Sequence, residues 1–286
     1  MFWRIGEGKL HYELVGEGRP ILMLHGFPLD SAVMKGCMEP VFARHNDWKR
    51  VYVDLPGMGR SSPIKGANGS DGILDVLMRF AQEMFGGERF AVAGESYGGY
   101  LARGLLRERM SEVTGVLLIC PLVLAPPCKR ELPPRKVLIE EPGLEEAIKE
   151  GEESFAELGV VQTERTLERF REDIVPGLRS GDKEFQRELF SDGYEFSVDV
   201  DVLPHQYHGP TLVIAGRQDH VVGYRDAWNF LENYPRATFA VLDRAGHNLQ
   251  FEQEKLFASL VNEWLNRVEE ANAKEHEVRA EREGGA

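Results

Sequence analysis

Three residues in this chain are of the types that together make a nucleophile from an alcohol. They are Ser96 in "VAGESYGGYL" (residues 92–101), His247 in "DRAGHNLQFEQ" and Asp219 at the end of "TLVIAGRQD". A serine hydroxyl reacts poorly at neutral pH unless a base takes its proton. An imidazole suits that task, and it in turn needs a carboxylate to fix its tautomer and steady its charged form. With an unperturbed imidazole, activity is expected to rise with pH through roughly 6 to 7.

Each of the three has competitors. Gly94-Glu95-Ser96-Tyr97-Gly98 follows an apolar run and opens a helical pattern, so Ser96 reads as an exposed hydroxyl on a tight strand-to-helix turn. The bare pattern also arises in ordinary turns, which makes a turn-only serine the alternative. Of the eight histidines, His247 is preferred because it sits in a loop between the last apolar run and the C-terminal helix. His25, beside Gly26, reads as structural, while His11, His45 and His276 fall in edge, surface or tail contexts. Asp219 is chosen over Asp243, which lies only four residues before His247 in the same loop. A tetrahedral intermediate also needs N–H donors. The turn "LHGFPLD" offers the Phe27 N–H, and the helix start offers that of Tyr97; Pro28 has none to give.

The elements that must carry these residues are legible as short apolar runs at 20–25, 50–54, 89–94, 115–120, 210–216 and 238–242. Continuous apolarity marks strands buried on both faces, as in a parallel sheet. Helical patterns at 71–86, 97–110, 223–233 and 250–268 alternate with them, predicting an α/β architecture. The start, "FWRIGEGKLHYELVGEG", predicts an antiparallel hairpin turning at Glu7-Gly8. Residues 122–208 lack a strong strand run and predict amphipathic helices near 143–158, 163–175 and 181–191. They hold 11 basic against 20 acidic residues, a net of −9 within a chain total of −13. Solvated helix faces are the plain explanation; an acidic lining for an amine-bearing substrate is the sharper one.

The motifs "HGFP" (25–28), "DLPGMGRS" (54–61), "GESYGG" (94–99), "GRQD" (216–219) and "GHNLQFEQ" (246–253) occur in an order and spacing that resemble the α/β-hydrolase fold superfamily. The likeness is to its cap-bearing branch of esterases, C–C bond hydrolases and haloperoxidase-like proteins. The resemblance implies an eight-stranded, mostly parallel sheet with flanking helices and an inserted helical cap. The core would comprise residues 1–121 and 209–268, the cap 122–208, and a charged C-terminal tail 269–286. It also implies nucleophile, acid and base in the order Ser96, Asp219, His247. Dehalogenases and epoxide hydrolases of this fold carry Asp at the nucleophile, which Ser96 is not. Proline iminopeptidases typically carry HGGPG where this chain has "HGFPLD". Glu95 stands where His, Asn or Trp is common; a hydrogen bond behind the strand is its preferred role, and tuning the electrostatics near Ser96 is the alternative. Gly223 stands where Pro is frequent.

These readings lead to an expected serine hydrolase acting on a small, largely apolar carboxylic ester through an acyl-enzyme. The alternatives are amide or peptide cleavage, C–C bond hydrolysis, or a non-turnover small-molecule receptor. No cofactor and no metal are expected. "GMGRSS" (57–62) lacks the third glycine and the helix opening of a dinucleotide loop. His205 and His208 have no third ligand nearby and read as a hinge between cap and core. The charge of −13 argues against nucleic acid and anionic membranes as partners. Cys37, Cys120 and Cys128 form no CxxC pair. No signal-peptide core or spanning run is seen, so a cytoplasmic location is expected. A small-molecule partner is expected, and the sequence leaves a homo-oligomer open.

Overall fold

A computed structural model describes residues 1–284. Strands β1 (Phe2–Ile5) and β2 (Gly8–Val15) form the antiparallel opening hairpin. After them come β3 (Arg19–Leu24), helix α1 (Ala32–Phe42), β4 (Trp48–Val53), α2 (Ser70–Phe85), β5 (Phe90–Glu95), α3 (Tyr97–Arg109) and β6 (Val113–Ile119). The eight-stranded sheet has the order β1-β2-β4-β3-β5-β6-β9-β10, with β9 (Thr211–Gly216) and β10 (Ala237–Leu242) closing the far edge. Every neighbouring pair from β4 to β10 is parallel. Strands β5, β6 and β9 are buried along their whole lengths, which is why they read as unbroken apolar runs rather than alternating ones.

Helices cover both faces. The stripe Ile73, Leu77, Phe80 of α2 recurs at three- and four-residue steps, and the helix stops where Gly86 adopts φ +59°. The C-terminal helix α9 (Glu254–Gly284) buries Phe257, Val261, Trp264, Leu265 and Val268, and the Trp264 Nε1–H donates to the Pro210 carbonyl at 3.1 Å. Between β10 and α9 lies the four-residue α8 (Leu249–Glu252). The expected tail at 269–286 is the continuation of α9 as far as Gly284. Residues 285–286, and the side chains from 275 onward, that of His276 included, lie outside the described residues.

The stretch from β6 to β9 is the helical cap, and it is more broken than its periodicity predicts. The first expected helix, 143–158, is a 3₁₀ turn (Leu144–Ala147) and α4 (Glu153–Leu158), separated where Gly151 takes φ +84°. The second is α5 (Glu164–Asp173), started by a Thr163 capping box, followed by α6 (Val175–Arg179). The third is α7 (Lys183–Glu188), which widens into a π turn at Leu189–Gly193. Two-residue strands β7 (Ile139–Glu140) and β8 (Val161–Gln162) pair in parallel, which no sequence pattern announced. The helix expected at 223–233 is a 3₁₀ turn over Asp226–Asn233: Gly223 at φ +74° delays its start, and i→i+3 bonds such as Trp228 N–H to Arg225 O wind it tightly.

The cap is seated on the core by close backbone approach and by one buried carboxylate. A Cβ at Gly177 of α6 would lie 2.6 Å from the Leu29 Cα and the Asp30 N. Glu252 accepts from the Val160 N–H (2.7 Å) and Val161 N–H (3.2 Å) of the cap, and from the Gly246 N–H (2.6 Å) beside His247. Charge-assisted bonds of this kind are stronger than neutral ones. Replacing Glu252 by Gln removes the charge and turns an N–H donor toward at least one of these N–H groups. The expected loss is about 2 kcal/mol of unfolding free energy in urea denaturation; an unchanged midpoint would show that these three bonds contribute nothing net.

Candidate active site

The loops that carry Ser96, Phe27, Asp219 and His247 all leave the sheet at the carboxyl ends of parallel strands, namely β5, β3, β9 and β10. In open α/β sheets that rim is where ligand sites form. Ser96 itself has φ +52° and ψ −114°, a conformation a non-glycine residue holds only under constraint. Its N–H donates to the Ile119 carbonyl at 2.9 Å, and its own carbonyl accepts from the Leu122 and Tyr100 N–H groups. The flanking glycines are required sterically. A Cβ at Gly94 would stand 2.3 Å from the Gly98 carbonyl oxygen, and one at Gly98 would stand 2.2 Å from that of Leu24.

His247 lies between Ser96 and Asp219. Its Nε2 is 3.0 Å from Ser96 Oγ and its Nδ1 is 2.9 Å from Asp219 Oδ2. The other Asp219 oxygen accepts the Val221 and Val222 N–H groups. With Nδ1–H donating to Asp219, Nε2 is left to accept from Ser96, the tautomer a base requires. Asp243, the competing acid, is turned outward and bonded by Gln218 Nε2. Burial works to raise the Asp219 pKa; the His247 charge and the three hydrogen bonds outweigh it and hold Asp219 below the usual carboxylate range.

The loop that carries Phe27 and the start of α3 at Tyr97 both adjoin Ser96. Tyr97 is the first residue of α3, where a helical N–H has no partner within the helix. A Cβ on Gly26, next to Phe27, would come within 3.0 Å of Ser96 Cβ, so this loop lies directly against the nucleophile. His25 is the clamp it was read to be: its Nδ1–H donates to the Gly26 carbonyl at 2.8 Å and its Nε2 accepts the Leu55 N–H at 2.9 Å. The Phe27 ring stacks on Phe190 (5.7 Å between centroids) and meets Tyr194 edge-on, while Tyr194 stacks on Tyr97 at 4.7 Å. An aromatic wall thus runs from the core loops into the cap.

Two expectations are corrected here. Glu95 does not hydrogen-bond behind its strand. Gly26 leaves a space opposite the end of β5, and the Glu95 carboxyl fills it, with Oε1 3.5 Å from His247 Nε2. The ordinary imidazole pKa assumed for His247 does not hold either. Burial works to lower the His247 pKa, but the Asp219 carboxylate, its hydrogen bond and Glu95 overcome this and push it up to about 9.

Three supporting residues escaped the sequence reading. Besides Glu252, Arg130 donates to the Leu124, Ala125 and Val221 carbonyls, tying the entry to the cap to the Asp219 loop. Cys120, at φ +40°, turns its Sγ–H toward the Gly246 carbonyl at 3.5 Å. The place of Glu252 within the motif "GHNLQFEQ" was its one available signal; Arg130 and Cys120 gave none. His205 makes its ring contact with the Gln206 carbonyl. Among the described residues the one cluster of metal-ligating type is Cys120, Asp219 and His247, which belongs to this site.

A sheet of this order, with a strained serine turn and a hydrogen-bonded Ser–His–Asp run on its carboxyl rim, is the architecture of the α/β-hydrolase fold. The model of the alpha/beta hydrolase fold matches residues 19–254, and the chain belongs to that family. It is 25% identical over 268 residues to a 2-hydroxy-6-oxononadienedioate/2-hydroxy-6-oxononatrienedioate hydrolase from Cupriavidus pinatubonensis, covering 91% of each chain. It is also 25% identical over 272 residues to a pimeloyl-[acyl-carrier protein] methyl ester esterase from Shewanella woodyi, covering 91% of this chain and 98% of the relative. Among solved structures it is similar to an alpha/beta superfamily hydrolase from Oenococcus oeni, with a TM-score of 0.82, 30% identity and coverage of 91% and 96%. No described helix is long and apolar enough to cross a membrane.

The two aspartates give a direct contrast. Asp219→Asn is expected to lower kcat by about 10⁴-fold, because the amide favours the wrong imidazole tautomer, whereas Asp243→Asn leaves it near the parent value. Steady-state kinetics on both variants checks the assignment, and the reverse ranking would transfer the acid's role to Asp243.

Proposed function

We propose that this chain is a serine hydrolase that cleaves small, largely apolar carboxylic esters through an acyl-enzyme. The observation that carries the reading is the continuous hydrogen-bonded run from Asp219 through His247 to Ser96. His247 Nε2 takes the Ser96 proton as Oγ bonds to the ester carbonyl carbon, and the Phe27 and Tyr97 N–H groups receive the charge that develops on the oxygen. The imidazolium then protonates the departing alkoxide as the carbon–oxygen bond breaks. Water, deprotonated by the same imidazole, releases the acid. Asp219, Ser96 and His247 need no metal or cofactor for these steps.

The substrate class follows from what surrounds the reacting point. Phe27, Phe190, Tyr194 and Tyr97 offer ring faces and edges, which suits an apolar acyl or alkyl group. The resemblance to the 2-hydroxy-6-oxononadienedioate hydrolase makes C–C bond hydrolysis the second reading. A dicarboxylate substrate asks for free cations, however. The cap's net charge of −9 repels a dianion.

Ser96→Ala is expected to reduce p-nitrophenyl ester turnover by about 10⁶-fold while leaving the unfolding midpoint in place. A fluorophosphonate should label Ser96 in the folded parent. Multiple turnovers distinguish an enzyme from a receptor of the same fold, and folded protein that resists the label would contradict the proposal.

A further inference from the structure

Glu95 is the group in this site that the acyl-transfer steps leave unused. Its side chain is buried, Oε1 faces His247 Nε2 at 3.5 Å, and Oε2 has no hydrogen-bond partner. A carboxyl group withdrawn from water with an orphaned oxygen costs free energy. It is also confined. A Cβ on Gly26 would lie 2.2 Å from Oε2 and 3.1 Å from Cδ, so the loop that carries Phe27 closes over the carboxyl group and keeps it against the imidazole.

We propose that Glu95 is a second carboxylate for the catalytic imidazole, set on the Nε2 side while Asp219 serves Nδ1, so that it holds the proton of the imidazolium on the nitrogen that shuttles it. Glu95 is a positioning residue in this scheme: it acts through His247, and the proton passes between Ser96 Oγ, Nε2 and the leaving oxygen without being taken up by Glu95. The role in catalysis rests on the serine-hydrolase reading above; the pairing of the two side chains does not.

The electrostatics agree with the geometry. Burial pushes Glu95 up to about 7, against the pull of the His247 charge and of the Gly26 N–H. His247 stands at about 9. Between these limits the two groups form a carboxylate–imidazolium pair, and the free base is scarce at neutral pH. The other groups that act on the pair are few. Asp219, from the loop after β9, favours the imidazolium and opposes ionisation of Glu95; Arg130, at the entry to the cap, disfavours the imidazolium. The Cys120 thiol after β6, the Tyr194 phenol of the cap and the Cys37 thiol of α1 are each pushed up by burial and stay uncharged through this range.

The test compares parent, Glu95→Gln and Glu95→Asp by the pH dependence of kcat/KM on p-nitrophenyl acetate and of the fluorophosphonate labelling rate. The ¹⁵N NMR titration of the His247 ring is followed alongside. Removing the charge should move the acidic limb of Glu95→Gln about one unit or more to lower pH. That raises its rate at neutral pH by up to about tenfold relative to the parent, while its alkaline plateau falls because the base is weaker. Glu95→Asp should fall between the two. A rate lowered equally at every pH, with the limb unmoved, would mean a structural role and overturn the proposal. If Ser96 is not labelled in any variant the hydrolase reading fails, yet the ring titration still decides the pairing: a lower His247 midpoint in Glu95→Gln supports it and an unmoved one overturns it. Should Glu95→Gln not fold, the parent alone answers. Two coupled steps on the ring, near 7 and near 9, support the pair, and a single step in the ordinary histidine range overturns it.

Discussion

The strained turn at Ser96 is the constraint on which the rest of the site depends. A side chain at φ +52° stands clear of both strand and helix, and it stays there because its N–H and carbonyl are each held by main-chain partners from β6, the segment after it and α3. The turn in turn dictates its neighbours. Gly94 and Gly98 must lack side chains because backbone carbonyls occupy the space, and Gly26 must lack one because Ser96 and Glu95 do. Glycines from two loops far apart in sequence thus answer one geometric demand.

Around that turn, the acid and base are fixed by groups with no chemistry of their own. Arg130 binds the cap's entry to the loop that carries Asp219, and Glu252 binds Val160 and the first residue of the cap's β8 to the residue preceding His247. Cap and catalytic loops are therefore joined at two points. Displacing the cap would strain both the acid and the base, whereas the aromatic contacts of Phe190 and Tyr194 with Phe27 place the cap's apolar face over the nucleophile. The aromatic wall beside Ser96 and the fixing of the His247 loop thus involve the same segment.

How much of this was legible in the sequence follows from what each feature needs. Ser96 and Asp219 could be found because each sits just past a buried strand, and buried parallel strands announce themselves as apolar runs; His247 follows the half-exposed edge strand β10, still legible as "TFAVL". Asp219 rather than Asp243 could be chosen from loop length alone. The cap resisted because its helices are five to ten residues long and are interrupted by glycines such as Gly151 at φ +84°, so amphipathic periodicity overran the true ends. The preferred reading of Glu95 failed for a different reason. Its direction depends on an empty space at Gly26, a residue 69 positions away whose role becomes visible only when β3 and β5 lie side by side.

The most direct test of the account is a crystal structure of the protein with an alkyl boronic acid, whose boron adopts the tetrahedral geometry of the acyl-transfer intermediate. The account predicts a bond from Ser96 Oγ to boron, one boron oxygen bonded by the Phe27 and Tyr97 N–H groups, and the His247 ring still joined to Asp219. Boron bound elsewhere, or bound to Ser96 with its oxygen turned away from both N–H groups, would contradict it.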